Sequence, residues 1–198
     1  MGASVEKRTE KLARLAVRVG ANVQPGQDVF VLVMDLQHAA MARAVTAAAY
    51  DAGARYVSVV YWDSHVKRAR LDRAATESLS FIPDWWDRII SECTERQGAS
   101  ITIWGDPEPD LFDGIAPERS GADQMPMTPS LWEMLGGGEV TWTVVPAPTA
   151  GMAKRLLGSD DVARLWDVMG PMLRIDEDDP EQAWAEHIAR LRERSEQL

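Results

Sequence analysis

The chain has 198 residues, 45% of them hydrophobic, and its 31 acidic against 21 basic side chains give a formal charge of −10. This length and composition predict one globular domain, or at most two small ones, with a sizeable core. The acidic surplus would repel nucleic-acid phosphates and anionic lipid headgroups, so neither nucleic acid nor a membrane is an expected partner. The chain becomes charged from Glu6 onward without the apolar segment of a signal peptide, and it has no run of about 18 apolar residues, so we expect a cytoplasmic protein.

Cys93 is the sole cysteine of the chain. A single cysteine excludes an internal disulfide and a cysteine cluster for zinc or iron–sulfur chemistry. Its neighbours Ile89, Ile90 and Glu92 on a predicted helix indicate a buried or negative setting, which does not favour a reactive thiolate. We therefore expect Cys93 to be a small, inert, buried side chain.

The first part of the chain alternates between helical and strand patterns. Apolar residues near helical spacing predict a helix over residues 5–20. After a proline–glycine turn signal, residues 29–34 are continuously apolar, which is typical of a strand covered on both faces. An alanine-rich helix over 39–52 and an apolar strand over 56–61 then complete a strand–helix–strand unit with a right-handed crossover.

The same alternation continues through the rest of the chain. Residues 119–135 are predicted to be helical despite Pro126 and Pro129. The remaining predicted elements are helical stretches over 64–73 and 76–80, a helix begun by Pro83, strands over 100–104 and 141–145, and helices over 149–157, 160–169 and from 181 onward. The last helix has no stop signal before the final residue, so we expect that the sequence is cut within a longer chain. The pattern predicts an α/β fold, a doubly wound, mostly parallel sheet of at least four strands flanked by helices, in a single domain over residues 1–198.

Acidic residues follow three of the four predicted strands. In open α/β sheets, ligands bind beyond the carboxyl ends of the strands. Asp35, Asp63 and Asp106 would meet at that edge and could bind a cation or an amine. The alternative is that each carboxylate caps the helix or turn that follows it, and this alternative is favoured because aspartate is a preferred helix cap.

The motifs of several enzyme classes are missing from the sequence. The turn after the first strand lacks the glycines of a dinucleotide fingerprint, and Gly136-Gly137-Gly138 lacks the lysine and hydroxyl residue of a P-loop. No Gly-x-Ser-x-Gly elbow is present, and the adjacent pair Ser64-His65 cannot act as nucleophile and base from neighbouring helical positions.

Histidine is scarce and tryptophan abundant. His38, His65 and His187 lie far apart in the sequence, so a complete metal site from this chain is not expected. His38 could approach Asp35 or His65, but a solvated ring at a helix start is the favoured interpretation, and His187 is expected at the surface. Among the eight tryptophans, Trp85, Trp86, Trp132 and Trp142 could line a groove or subunit contact, although core packing is expected to explain most of the eight.

A series of punctuated motifs extends over nearly all of the chain. In chain order they are Asn22-Val23-Gln24-Pro25-Gly26-Gln27, Ala48-Ala49-Tyr50-Asp51-Ala52-Gly53-Ala54-Arg55-Tyr56-Val57, Tyr61-Trp62-Asp63, Gly98-Ala99, Gly105-Asp106-Pro107-Glu108-Pro109-Asp110-Leu111, Trp142-Thr143-Val144-Val145-Pro146 and Asp179-Pro180-Glu181-Gln182-Ala183-Trp184-Ala185-Glu186-His187. Their order and spacing resemble the thermophilic metallo-aminopeptidases of the leucine-aminopeptidase-T type.

This resemblance implies a division of labour between two domains. Members of that family are about twice this long, with an amino-terminal α/β domain and a carboxy-terminal catalytic domain, and this chain looks like the first. The family's two divalent metal ions (zinc, cobalt or magnesium) polarise the scissile carbonyl and activate water for removal of an N-terminal amino acid. Their Glu, His and Asp ligands belong to the second domain, so the resemblance implies no catalytic or metal-binding residue here and no cofactor in this chain.

The resemblance implies that this chain forms a wall of the active-site chamber, restricts access to short peptides and helps to form a homodimer. Two alternatives remain open. The chain could be a self-standing α/β binding or assembly module without hydrolase activity, or a small-molecule enzyme that uses Asp35, Asp63 and Asp106 around a borrowed metal ion.

Overall fold

The computed structural model of this protein describes residues 4–196. Within these residues, four parallel strands form one sheet: β1 (Asp28–Val33), β2 (Tyr56–Tyr61), β3 (Ala99–Trp104) and β4 (Thr141–Pro146). The strand order is β2-β1-β3-β4, and every neighbouring pair is parallel. The predicted α/β sheet is therefore confirmed. The expectations about the start of the chain and its unstopped end fall partly on residues 1–3 and 197–198, which lie outside the described range.

Helices connect and flank the strands. They are α1 (Val5–Leu15), α2 (Ala39–Asp51), α3 (Ser64–Arg73), α4 (Asp84–Glu95), α5 (Pro117–Ala122), α6 (Pro129–Gly136), α7 (Ala150–Leu157), α8 (Val162–Met172) and α9 (Pro180–Ser195). A π-helical turn, Ala16–Gly20, extends α1, and short 3₁₀ turns cover Leu36–His38 and Thr76–Ser78. In the described part of the chain no helix combines the length and the apolar character needed to cross a membrane.

Two apolar cores lie on opposite faces of the sheet because alternate residues of a strand point to opposite sides. Val29, Val31 and Val33 of β1 pack with residues of α1, α2 and α8. Phe30 and Leu32 pack on the other face with residues of α4 and α6. Helices on both faces make this the doubly wound arrangement that the continuous apolar strands indicate.

The predicted helix over residues 119–135 is wrong. Only α5 and α6 are helical in this stretch, and residues 123–128 between them are not. Pro126 and Pro129 explain the break, because proline removes a backbone donor and disfavours helical geometry at the residue before it. Thr128 instead starts α6 as its cap, accepting a hydrogen bond from the Leu131 backbone N–H.

Candidate functional site

The three predicted acidic residues lie at one edge of the sheet. The register pairs Val33 of β1 with Tyr61 of β2 and with Ile103 of β3, so these strands end level with one another. Asp35, Asp63 and Asp106 each follow two residues after their strand. β2 lies on one side of β1, and β3 and β4 lie on the other, so the strand order reverses between β1 and β3. Open α/β sheets form their ligand crevice at this position.

Two of these carboxylates cap the turns that follow them. Asp35 Oδ1 accepts a hydrogen bond of 2.9 Å from the Gln37 N–H, and Asp63 Oδ1 accepts bonds from the N–H groups of His65 and Val66 at 2.8 and 3.0 Å. Asp35 and Asp63 are therefore caps, as the favoured interpretation of the sequence predicts. Asp106 is held through its backbone, because its carbonyl accepts a 3.1 Å hydrogen bond from Thr149 Oγ1 at the start of α7. A ligand contact by any of the three stays a prediction.

His38 is buried, which corrects the expectation of a solvated ring. Only 2% of its surface is exposed, and its Nε2 lies 3.4 Å from the carbonyl oxygen of Gly105. The turn Leu36–His38 places the ring under the end of β3, where Gly105 has no side chain to occupy the space. Burial lowers the pKa of His38, and the Gly105 carbonyl and the Asp35 charge only partly offset this effect.

The other two histidines are engaged in separate places. His65 Nε2 lies 2.7 Å from Glu108 Oε1, and this contact raises the pKa of His65. His187 is half-buried on α9, where its ring packs edge-on against Trp184 with the centroids 5.5 Å apart.

A cavity of about 380 Å³ opens beyond the carboxyl ends of β1, β2 and β3. Met34, Trp62 and Trp104 line it from the strand ends, and Lys67 lines it from α3. Phe112 and Met127 line it from the loops before α5 and α6. Lys67 belongs to no motif that marks it in the sequence, although Lys67 and Leu71 are four residues apart and so share one face of α3.

Lys67 is held in place by a protein oxygen. Its Nζ donates a hydrogen bond of 2.6 Å to the carbonyl of Met125. Burial lowers the pKa of Lys67, the charge of Asp123 opposes that shift, and Arg70 adds to it. The side chain thus presents a partly desolvated amine at the cavity.

A second apolar surface lies on β4. Trp142 and Val144 point to the same sheet face as Trp104 of β3, because the register pairs Trp104 with Pro146. These side chains are exposed, as is Leu156 of α7, which lines the same shallow depression of about 400 Å³ as Trp104 and Val144. We call Trp104, Trp142, Val144 and Leu156 the β4 patch.

The expectation that core packing explains most tryptophans is wrong. Trp86 and Trp166 are buried, and Trp62 and Trp184 are half-buried against the two cores. The other four, Trp85, Trp104, Trp132 and Trp142, are exposed. The buried state of Cys93 is confirmed, and burial raises its pKa to about 11, which leaves the thiol protonated at neutral pH.

The donor set at the sheet edge does not fit a two-metal centre. Two of its carboxylates serve as caps, and its histidines contact Gly105 and Glu108. Over residues 4–196, no group of three or more His, Cys, Asp or Glu side chains could hold a metal ion.

Known proteins share both the sequence pattern and the fold. Residues 5–198 match the family model described as Thermophilic metalloprotease (M29). Aminopeptidase 2 of Geobacillus stearothermophilus is 31% identical over 193 residues, which are 94% of this chain and 46% of that protein. Aminopeptidase T of Thermus thermophilus is 30% identical over 197 residues, 96% of this chain and 48% of that protein.

A solved structure supports the same relationship. Wild-type AmpT from Thermus thermophilus superposes with a TM-score of 0.77 at 28% identity, over 93% of this chain and 46% of that one. The chain thus spans about half the length of the relatives it matches. Because the family model extends over nearly the whole chain and a solved relative shares the fold, the chain belongs to the thermophilic metalloprotease (M29) family.

Proposed function

We propose that this chain is the non-catalytic, amino-terminal α/β domain of a two-metal aminopeptidase. In this proposal the complete enzyme removes N-terminal amino acids from peptides, and the two divalent metal ions are bound by protein outside these 198 residues. This chain forms a wall of the active-site chamber, limits entry to short peptides and contributes to a homodimer.

One observation carries the proposal. The family model matches this chain almost from end to end, and yet relatives named aminopeptidases are about twice as long. The match covers under half of each relative, so the residues in the rest of those relatives have no counterpart among these 198 residues. The metal centre of a metalloprotease can therefore lie in the half that this chain lacks.

The sheet edge supports a structural role for Asp35, Asp63 and the two histidines beside them. Asp35 and Asp63 each use a carboxylate oxygen to accept hydrogen bonds from backbone N–H groups at the start of the following helical turn. His38 is buried beside Gly105, and His65 is paired with Glu108. These side chains stabilise the strand exits, and such a rigid edge is suited to form one side of a chamber.

The test is a peptidase assay on the isolated chain. Leucyl-p-nitroanilide is incubated with the chain and added cobalt, zinc or magnesium, with a full-length family aminopeptidase as the positive control. We expect no p-nitroaniline above the no-protein rate. Turnover that copurifies with the chain and disappears with a chelator would overturn the proposal.

The same preparation tests the alternative of a borrowed metal at Asp35, Asp63 and Asp106. Titration of each metal ion is followed by calorimetry, with the triple Asp→Asn variant as control. We expect no saturable binding at millimolar metal. Binding that the triple variant abolishes would favour the small-molecule enzyme instead.

A further inference from the structure

The cavity at the sheet edge combines an apolar lining with polar groups of opposite charge. Trp62, Trp104, Phe112 and Met127 supply the apolar surface. Trp104 and Phe112 leave 48% and 39% of their surfaces in water, so a small apolar group could cover them. The volume of about 380 Å³ is within the range of small-molecule sites.

The donors of the cavity suit a carboxylate. Lys67 uses one of its ammonium protons on the Met125 carbonyl, which leaves two for another acceptor. The indole Nε1 of Trp62 is buried and has no acceptor within residues 4–196. That nitrogen is buried, so a ligand in the cavity does not reach it, and Lys67 is the donor that a carboxylate would meet.

The rim of the same cavity carries an acceptor for a cation. Asp106 lines the cavity and is exposed, and its backbone is fixed through Thr149. A carboxylate there would receive an ammonium group through a charge-assisted hydrogen bond. A simple anion would leave the Asp106 carboxylate without a partner, and a simple amine would leave the Lys67 ammonium without one.

We propose that this cavity binds a free α-amino acid with an apolar side chain, its carboxylate at Lys67, its ammonium at Asp106 and its side chain against Trp104 and Phe112. Such a ligand is neutral overall, as is the pair of charged groups that would hold it. The inference goes beyond the proposed function, because it assigns a binding site to this chain whether or not any protein containing it cleaves peptides.

The experiment titrates L-leucine into the metal-free chain, with calorimetry and the indole N–H resonance of Trp62 as readouts. Two analogues isolate the charged groups: leucinamide lacks the carboxylate, and 4-methylpentanoate lacks the ammonium. We expect saturable L-leucine binding with a Kd of about 1 mM or tighter and a shift of the Trp62 resonance. Each analogue should bind at least about tenfold more weakly.

Variants then assign the two charges to their residues. Asp106→Asn and Lys67→Met should each weaken L-leucine binding by about tenfold or more. Asp110→Asn is the matched control, because Asp110 lies on the same loop but pairs with Arg155 outside this cavity. Thermal melts show whether Lys67→Met still folds, and if it does not, Asp106→Asn and the two analogues decide.

No saturable binding of L-leucine at about 10 mM would overturn the proposal. Equal affinity for L-leucine and both analogues would overturn it as well, and so would unchanged binding by Asp106→Asn. A negative peptidase assay has no bearing on these outcomes, because the titration contains neither a peptide nor a metal ion.

Discussion

At the scale of single residues, two histidines at the sheet edge show opposite electrostatic behaviour. His38 is buried, and loss of solvation disfavours its charged form, so its pKa is lowered. The Glu108 carboxylate stabilises the charged form of His65, so the pKa of His65 is raised. Both start from an ordinary pKa of about 6.5.

We predict that NMR titration of the imidazole protons places the pKa of His38 below 6.5 and that of His65 above 6.5. Glu108→Gln should return His65 toward the ordinary value, because it removes the carboxylate 2.7 Å from Nε2. The same substitution should leave His38 unchanged, which makes His38 the internal control. A His38 pKa above 6.5 would contradict its burial.

The two shifts affect stability with opposite signs. The unfolded chain protonates His38 more readily than the folded one does, so this group lowers the free energy of unfolding as the pH falls below about 6.5. The raised pKa of His65 stabilises the fold below about 6.5, and this contribution is lost as the pH rises through its folded pKa. Glu108→Gln should therefore steepen the loss of stability on mild acidification, as measured by urea unfolding.

Residue-scale features also mark the limit of sequence reasoning. Asp35 and Asp63 were predictable as caps because the interaction is local in sequence. The burial of His38 was not predictable, because it depends on Gly105, 67 residues away in the chain. Lys67 was missed for the same reason, since its partner carbonyl belongs to Met125.

At the scale of elements, the exit of β3 is packed against two other segments. A Cβ at Gly105 would collide with the carbonyl oxygen of Ala147 and lie 2.6 Å from His38 Cε1. Both neighbours are fixed, because Ala147 donates its N–H to the Trp104 carbonyl at 2.7 Å and His38 is buried. Glycine at this position lets the ends of β1, β3 and β4 approach one another.

We predict that Gly105→Ala lowers the free energy of unfolding by about 1–3 kcal/mol, the usual cost of inserting a methyl group into a packed site. Urea unfolding followed by circular dichroism measures it. Gly121→Ala is the matched control, because the residue is helical and, within residues 4–196, a Cβ there would meet no heavy atom within 4 Å beyond its chain neighbours and its own helix backbone. Gly121→Ala should be neutral or slightly stabilising. Equal effects of the two substitutions would contradict the packing argument.

The elements themselves were largely predictable, and the exceptions have physical causes. The four strands were readable because a sheet covered on both faces requires continuous apolar runs such as Val29 to Val33. The break between α5 and α6 was not predicted, because apolar residues continue at helical spacing across a stretch in which Pro126 and Pro129 interrupt the helix. The strand order β2-β1-β3-β4 depends on pairings between distant segments, which no local pattern records.

At the scale of the whole molecule, the β4 patch is an exposed apolar surface beside the edge of the sheet. In the described part of the chain, β4 lies at the edge of the sheet and pairs on one side only, with β3. Val144 leaves 51% of its surface in water on a strand whose buried face already serves the core. Exposed apolar side chains grouped beside an unpaired strand edge are typical of an interface.

The homodimer in our proposal would use this patch. A two-fold axis beside β4 would pair the edge with its own copy in antiparallel fashion, and such an interface is self-complementary. Val144 and Leu156 would then be removed from water in both copies. Lysine at such an edge is a common way in which proteins prevent this association.

We predict that the chain sediments as a dimer at micromolar concentrations and that Val144→Lys shifts it to a monomer, with an increase in the dimer dissociation constant of at least about tenfold. Val66→Lys is the matched control, because Val66 is 65% exposed on α3, outside the β4 patch. That variant should keep the association of the unchanged chain, as measured by sedimentation velocity over a concentration series. A dimer that survives Val144→Lys and Leu156→Lys together would exclude the β4 patch as its interface, and a chain that stays monomeric throughout would exclude self-association by this domain alone.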